Sequence, residues 1–265
     1  MKTILPLCLL AAASFSQGQA APVSDEAIRD AFGGRQAALV LLDTSSGART
    51  AFPKAAAAEM LPPCSTFKIV NALIGLELGI LSSPDEPFYK WDGQKRSIEA
   101  WNRDLTLKEA FQASCVPAFQ ILARKIGPAR MQAWIDKIGY GNRDTSAGID
   151  VFWLPAKNRK TIIISASEQA DLMQKIASGK VPFSDKSLAV LKELMRVKST
   201  DRGILYGKTG SGTDEHGAFN LGWFVGYVES HGKTYAFACV AQGKNVMSKD
   251  ARQIVEAVLT KQGLL

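Results

Sequence analysis

Pro62-Pro63-Cys64-Ser65-Thr66-Phe67-Lys68-Ile69-Val70-Asn71-Ala72-Leu73-Ile74 divides the chain into two kinds of pattern. The prolines block helix upstream, and the apolar run behind Phe67 continues as a helix. On the N-terminal side, Ala37 to Leu42 is a continuous apolar run. Asp43-Thr44-Ser45-Ser46-Gly47 turns it into a second strand, Ala48 to Phe52. Before that hairpin, Asp25 to Phe32 reads as a short helix ended by Gly33-Gly34. On the C-terminal side the apolar spacing predicts helices over 65–78, 107–125, 129–138, 167–178 and 186–195. Strand-like runs then return at 203–209, 218–228 and 233–241, and 249–259 reads as a closing helix. Strands come from both ends and helices from the interior. The expected fold is therefore α/β (α+β): an antiparallel sheet built from both chain ends with flanking helices, plus an inserted all-helical lobe. Residues 21–62 and 199–265 would form the sheet lobe and 63–198 the helical lobe, with a site in the cleft between them.

Residues 1–20 carry a different message. Met1-Lys2 is a short positive start, Ile4 to Ala13 is an apolar run, and Gly18-Gln19-Ala20 is a small-residue cleavage site. The pattern predicts a signal peptide, a mature chain starting near Ala21, and an exported, soluble product. An uncleaved anchor is the other reading, although that run is short for a bilayer. No later stretch has the length to span one, so no membrane association is expected after cleavage.

The whole chain has 32 Lys+Arg against 25 Asp+Glu, a formal charge of +7. The basic residues are interspersed with acidic ones, as in Arg103-Asp104-Leu105-Thr106-Leu107-Lys108-Glu109. A solvated mixed surface explains that better than a nucleic-acid groove. With Cys8 in the leader, Cys64, Cys115 and Cys239 remain, an odd number with three ways to form one disulfide. Only His216 and His231 are present, which argues against a metal site and against a Ser-His-Asp triad. A monomer or weak homodimer is expected.

The chemistry is expected from lysine instead. Ser65 stands at the start of the helix and Lys68 follows at i+3, so the amine lies beside the hydroxyl. A serine hydroxyl is a poor nucleophile until a base takes its proton, and a buried lysine qualifies once its pKa drops. Spacing alone decides nothing, because Ser230-His231-Gly232-Lys233 repeats it on a polar hairpin. Lys208-Thr209-Gly210 lies on a predicted strand and is followed by Ser211. Ser114-Cys115-Val116 precedes Pro117, and Tyr140-Gly141-Asn142 is a turn signal. Ser114 is open to a second reading as a helix-interior hydroxyl.

In this order the motifs resemble those of the serine β-lactamases and penicillin-binding proteins. More closely the chain resembles the class D, or oxacillinase-type, β-lactamases, with Ser65–Lys68, Ser114–Val116, Tyr140–Asn142, Phe152-Trp153-Leu154 and Lys208–Gly210. The resemblance covers essentially the mature chain. It implies the transpeptidase-like fold and hydrolysis of β-lactam small molecules through an acyl-enzyme on Ser65. It implies no cofactor except carbon dioxide, held covalently as a carbamate on Lys68 that acts as general base. Val116, Trp153 and Leu154 would form the carbamate pocket, with the Trp153 indole as a donor or else as a plain core aromatic. Ser114 and Lys208 would pass a proton to the leaving nitrogen. Backbone N–H groups of Ser65 and Ser211 would stabilise the oxyanion. Thr209, Ser211 and Arg252 would bind substrate, Arg252 by meeting its carboxylate; an ordinary surface arginine is the other reading. Two departures stand out. Ser211-Gly212-Thr213 replaces the aromatic that often follows Lys-Thr-Gly, and Cys64 lies beside the nucleophile while Cys115 lies inside the second serine motif. A β-lactam sensor that is acylated without turnover is the main alternative, and a cell-wall transpeptidase or carboxypeptidase is a third.

Overall fold

The hairpin predicted from residues 37–52 lies at one edge of a larger sheet. A computed structural model describes residues 23–265, so the predicted signal peptide lies outside the described residues. The first segment comprises α1 (Asp25–Phe32), β1 (Gln36–Asp43), β2 (Arg49–Phe52) and a single turn, α2 (Lys54–Ala57). The interior holds α3 (Lys68–Glu77), the small ribbon β3 (Pro87–Tyr89) and β4 (Leu105–Thr106), then α4 (Leu107–Gln112) and α5 (Val116–Ile126). It continues with α6 (Pro128–Ile138), α7 (Ala166–Ala177) and α8 (Asp185–Met195). The chain returns as β5 (Arg196–Ser199), β6 (Gly203–Thr213), β7 (Phe219–Ser230), β8 (Lys233–Gln242) and α9 (Ser248–Lys261).

The six-stranded sheet has the order β2-β1-β8-β7-β6-β5, with every neighbour antiparallel. β1, from one end of the chain, pairs with β8, from the other, in the register Leu39↔Cys239. Because side chains alternate along a strand, this register sends odd and even residues of β1 to opposite faces. Leu39 and Leu41 meet α1 and α9 through Ile28, Ile254 and Val258. Ala38, Val40 and Leu42 join the larger core of the interior helices, which includes Phe67, Leu73, Phe119 and Leu122.

Two expectations are corrected. The boundary expected at 198/199 falls earlier, because β5 begins at Arg196 and pairs with β6. The helix expected over 107–125 is broken: α4 stops at Gln112, and Ser114 takes a left-handed backbone, φ 53°. The Ser114 and Cys115 N–H groups close the end of α4 on Phe111 O and Ala110 O, and Pro117 then opens α5. α7, an interior helix, lies across β1, β7 and β8, so the inserted segment shares one core with the sheet.

Pairing is uneven at the β5 edge. β5 covers β6 only as far as Arg196↔Tyr206, whereas β7 accompanies β6 to Thr213. From Gly207 onward, one side of β6 faces no strand among the described residues.

Candidate active site

Ser65 does not sit in an α-helix. Cys64–Phe67 forms one 3₁₀ turn, and Lys68 is the first residue of α3. In a 3₁₀ turn, side chains at i and i+3 eclipse. The Lys68 Nζ accordingly lies 2.7 Å from the Ser65 Oγ. One local bond and two long-range contacts hold this turn. The Thr66 hydroxyl donates to Pro63 O at 2.7 Å and meets the buried Gln169 amide, whose Nε2 is 3.1 Å away. The Trp223 indole donates to Pro62 O at 2.9 Å. Cys64, just before the serine, is buried with φ 52°, a left-handed conformation costly for a residue with a Cβ.

The β6 strand approaches the turn through Gly210. A Cβ there would lie 3.0 Å from Pro63 O and 3.1 Å from Ser65 N, so the glycine is what lets the strand come this near. Its neighbour Lys208 crosses to the other lobe, where its Nζ is 3.0 Å from the Ser114 Oγ and 2.9 Å from Thr209 O. Ser114 thus stands in a bent link between two helices, and its left-handed backbone belongs to the site.

Both amines are buried, Lys68 at 0% and Lys208 at 3% exposure. Burial disfavours the charged form and lowers the Lys68 pKa from 10.5 to about 7, against a smaller opposing effect of the Cys115 and Cys64 thiols. The Lys208 amine is pushed well below the usual lysine range by burial and then by repulsion from Lys68. Near neutral pH a substantial fraction of Lys68 is therefore uncharged, in contact with the hydroxyl it would activate.

Aromatic groups make the surroundings apolar. Trp153 stacks on Phe67 with ring centroids 5.5 Å apart, and Phe152 and Tyr140 meet the same ring edge-on. The Lys68 Nζ lies 5.6 Å from the centre of the Phe119 ring. The Trp153 Nε1 is buried and has no hydrogen-bond partner among the described residues. Leu154 packs half-buried against this core, while Val116 is half-buried at the first residue of α5. The Tyr140-Gly141-Asn142 turn docks on Ile163, whose N–H donates to Asn142 Oδ1 at 3.1 Å. A Cβ at Gly141 would come within 2.1 Å of Ile163 O.

The remaining predicted residues lie nearby. Thr209 is half-buried, and the Ser211 Oγ accepts from the Ser248 N–H at the start of α9, 3.0 Å. Arg252 shares a cavity with Lys208 and Thr209, but its Nε already donates to Glu256, 2.6 Å, leaving the rest of the fork free. Cys64, Cys115 and Cys239 are free, buried thiols, and none is paired. No local signal marks Gln169 or Trp223, since each meets the serine turn from more than a hundred residues away.

Comparison with known proteins fits this arrangement. The penicillin binding protein transpeptidase domain matches residues 35–261. The probable β-lactamase YbxI of Bacillus subtilis (strain 168) is 35% identical, over 96% of this chain and 91% of its own. β-Lactamase OXA-10 of Pseudomonas aeruginosa is 38% identical, over 75% of this chain and 73% of its own. The crystal structure of FUS-1 (OXA-85), a class D β-lactamase from Fusobacterium nucleatum subsp. polymorphum, aligns with a TM-score of 0.84 at 33% identity. That alignment covers 91% of this chain and 98% of the other. The regulatory protein BlaR1 of Bacillus licheniformis is 31% identical over 85% of this chain, but over 36% of its own. With these relatives spanning both ends of the sheet and the helices between them, the chain belongs to the class D serine β-lactamases.

Proposed function

We propose that the protein hydrolyses β-lactam antibiotics through an acyl-enzyme on Ser65, with Lys68 as the site of the general base. The observation that carries this reading is the Lys68 amine, fully buried and 2.7 Å from the Ser65 hydroxyl. Ser65 attacks the lactam carbonyl, its proton passing to the base. Backbone N–H groups of Ser65 and Ser211 hold the developing oxyanion, a contribution of about 3–4 kcal/mol in acyl transfer. The Ser114 hydroxyl and Lys208, in contact with each other, relay a proton to the departing nitrogen. Thr209, Ser211 and the free side of Arg252 take the substrate carboxylate. Water then hydrolyses the ester and releases a ring-opened acid.

The residues fit a carbamate on Lys68. Carbamate formation requires a neutral amine, which burial supplies, and the unpartnered Trp153 Nε1 is a donor without an acceptor. When bound, carbon dioxide converts the amine into an anionic base that serves acylation and deacylation alike. Trp153 would hold it by hydrogen bonding, and Val116 and Leu154 would shield it from water.

The leader pattern in residues 1–20 supports export to the bacterial periplasm. N-terminal sequencing of the periplasmic protein should begin near Ala21. Among the described residues, no helix is long and apolar enough to cross a membrane. The similarity to BlaR1 supports a second reading, acylation without turnover. Steady-state assays with a chromogenic cephalosporin, together with mass spectrometry of trapped adduct, separate the two. Continued product formation is expected, whereas one stable adduct per chain means a sensor. Activity should also fall when carbon dioxide is stripped at low pH and return with bicarbonate. Indifference to bicarbonate would remove the carbamate and leave the nucleophile.

A further inference from the structure

Where β5 stops pairing, the fold leaves a cavity of about 240 Å³ beside β6. Lys208 and Thr209 form one wall, Phe111 and Met195 supply apolar surface, and Arg196 and Arg252 bring guanidinium groups. The cavity adjoins the groups assigned to the substrate's leaving side but lies beyond the Ser65 turn.

Its electrostatics are unequal. Arg252 is held by Glu256 at 2.6 Å, and the same carboxylate has the Lys198 Nζ at 3.6 Å. One acid therefore serves two cations. Arg196, exposed at the first residue of β5, has no carboxylate partner among the described residues. A recess of mixed lining, with Phe111 and Met195 beside Gln112, Thr209 and a surplus positive charge, suits a group that is both flat and anionic.

Substrate chemistry supplies the direction. In a fused-ring β-lactam the carbon attached to the lactam nitrogen bears the carboxylate. With the nitrogen facing Ser114 and Lys208 and the carboxylate at Thr209 and Arg252, the next ring carbon projects its substituent away from Ser65. We propose that the cavity is a subsite for this ring substituent, and that Arg196 makes it select substituents carrying a second negative charge. The proposal rests on the substrate reading given above.

The test compares two cephalosporins with the same acyl side chain. One carries a neutral group at the ring carbon next to the carboxylate-bearing carbon, and the other a sulfonate- or carboxylate-bearing heterocycle. The readout is the ratio of kcat/KM for the anionic substrate to that for the neutral one. Arg196→Glu should lower this ratio about tenfold or more, mainly through KM, because it replaces attraction by repulsion. Arg196→Lys should retain part of it, having charge without the fork. Arg202→Glu makes the same change in net charge in the β5–β6 turn, and there the ratio should hold within about twofold, since salt screens distant exposed charges. An unchanged ratio in Arg196→Glu, or an equal fall in Arg202→Glu, overturns the subsite while leaving β-lactam hydrolysis intact. Failure of the unaltered protein to turn over either compound overturns the substrate reading, and the subsite with it.

Discussion

Two serine–lysine pairs meet in this molecule, and they are built in opposite ways. Ser65 and Lys68 are three residues apart, brought to 2.7 Å by one 3₁₀ turn. Ser114 and Lys208 are 94 residues apart and reach 3.0 Å only because the bend between α4 and α5 is closed against β6. The spacing of the first pair is set by the geometry of one turn, although Gln169 and Trp223 brace that turn from a distance. The second exists only when sheet and helices are correctly packed. Yet the two amines share one buried environment, and the charge on Lys68 further depresses Lys208. In the proposed mechanism the local pair supplies the chemistry, and the distant pair ties that chemistry to an intact cleft.

Ser65→Ala should produce the largest loss, on the order of 10⁴-fold or more in kcat/KM, with no covalent adduct by mass spectrometry. Residual turnover near the unaltered rate would mean that the local pair is not the reacting one. Ser114→Ala should cost less, about 10²- to 10³-fold, as expected for a proton relay rather than a nucleophile. Adduct should still form in that variant. Equal losses in both would erase the distinction between the pairs.

A pH titration sharpens it further. Below about pH 7 the Lys68 amine takes up a proton, so kcat/KM should fall about tenfold per pH unit on the acid side. Stability should follow the same sign. Between about pH 7 and 10.5 the unfolded chain holds a proton on Lys68 that the folded chain has released. The unfolding free energy should therefore rise with pH between about 7 and 8.5, by about 1.4 kcal/mol per unit from Lys68 alone, and Lys208 adds in the same direction; above that range the buried Cys64, Cys115 and Cys239 thiols, which burial pushes up, ionise only on unfolding and act in the opposite sense. Denaturant melts in carbon dioxide-free buffer measure this; a flat profile would show that neither amine is held neutral.

The smallest effect belongs to the repeat of the same spacing. Ser230 and Lys233 end β7 and begin β8, joined by an exposed turn, and the Ser230 hydroxyl donates to Arg202 O at 2.7 Å. Ser230→Ala should leave kcat/KM within about twofold while costing about 1 kcal/mol in stability. A large kinetic loss there would undo the claim that environment, not spacing, makes the pair.

That contrast also marks what the chain discloses by itself. The Ser65 pair, the β6 strand with its lysine and the closing helix follow from local spacing, which is set by helix and strand periods. The bend at Ser114 does not, because apolar periodicity runs unbroken through 107–125 and only Pro117 hints at an interruption. The roles of Gln169 and Trp223 depend on contacts 103 and 161 residues away, which no window along the sequence contains. The sequence leaves Arg252 two readings, substrate binding or an ordinary surface arginine, and the structure shows a glutamate one turn later taking part of its fork. The recess beside Arg196 needs α4, α8 and β6 at once. It becomes visible only in three dimensions.

Beyond Tyr206, the outer margin of β6 has no neighbouring strand among the described residues. Main-chain groups along such a margin can bind any extended polypeptide that arrives, which makes self-association a standing hazard. Proline or a bulky charge would blunt it, but would also obstruct the place where small amides must lie. The protein is thus obliged to leave this flank unpaired, and it is sunk in the cleft, with Gly207, Lys208, Gly210 and Gly212 buried. Variants that loosen β5 further should tend to clump before they lose their catalytic pair.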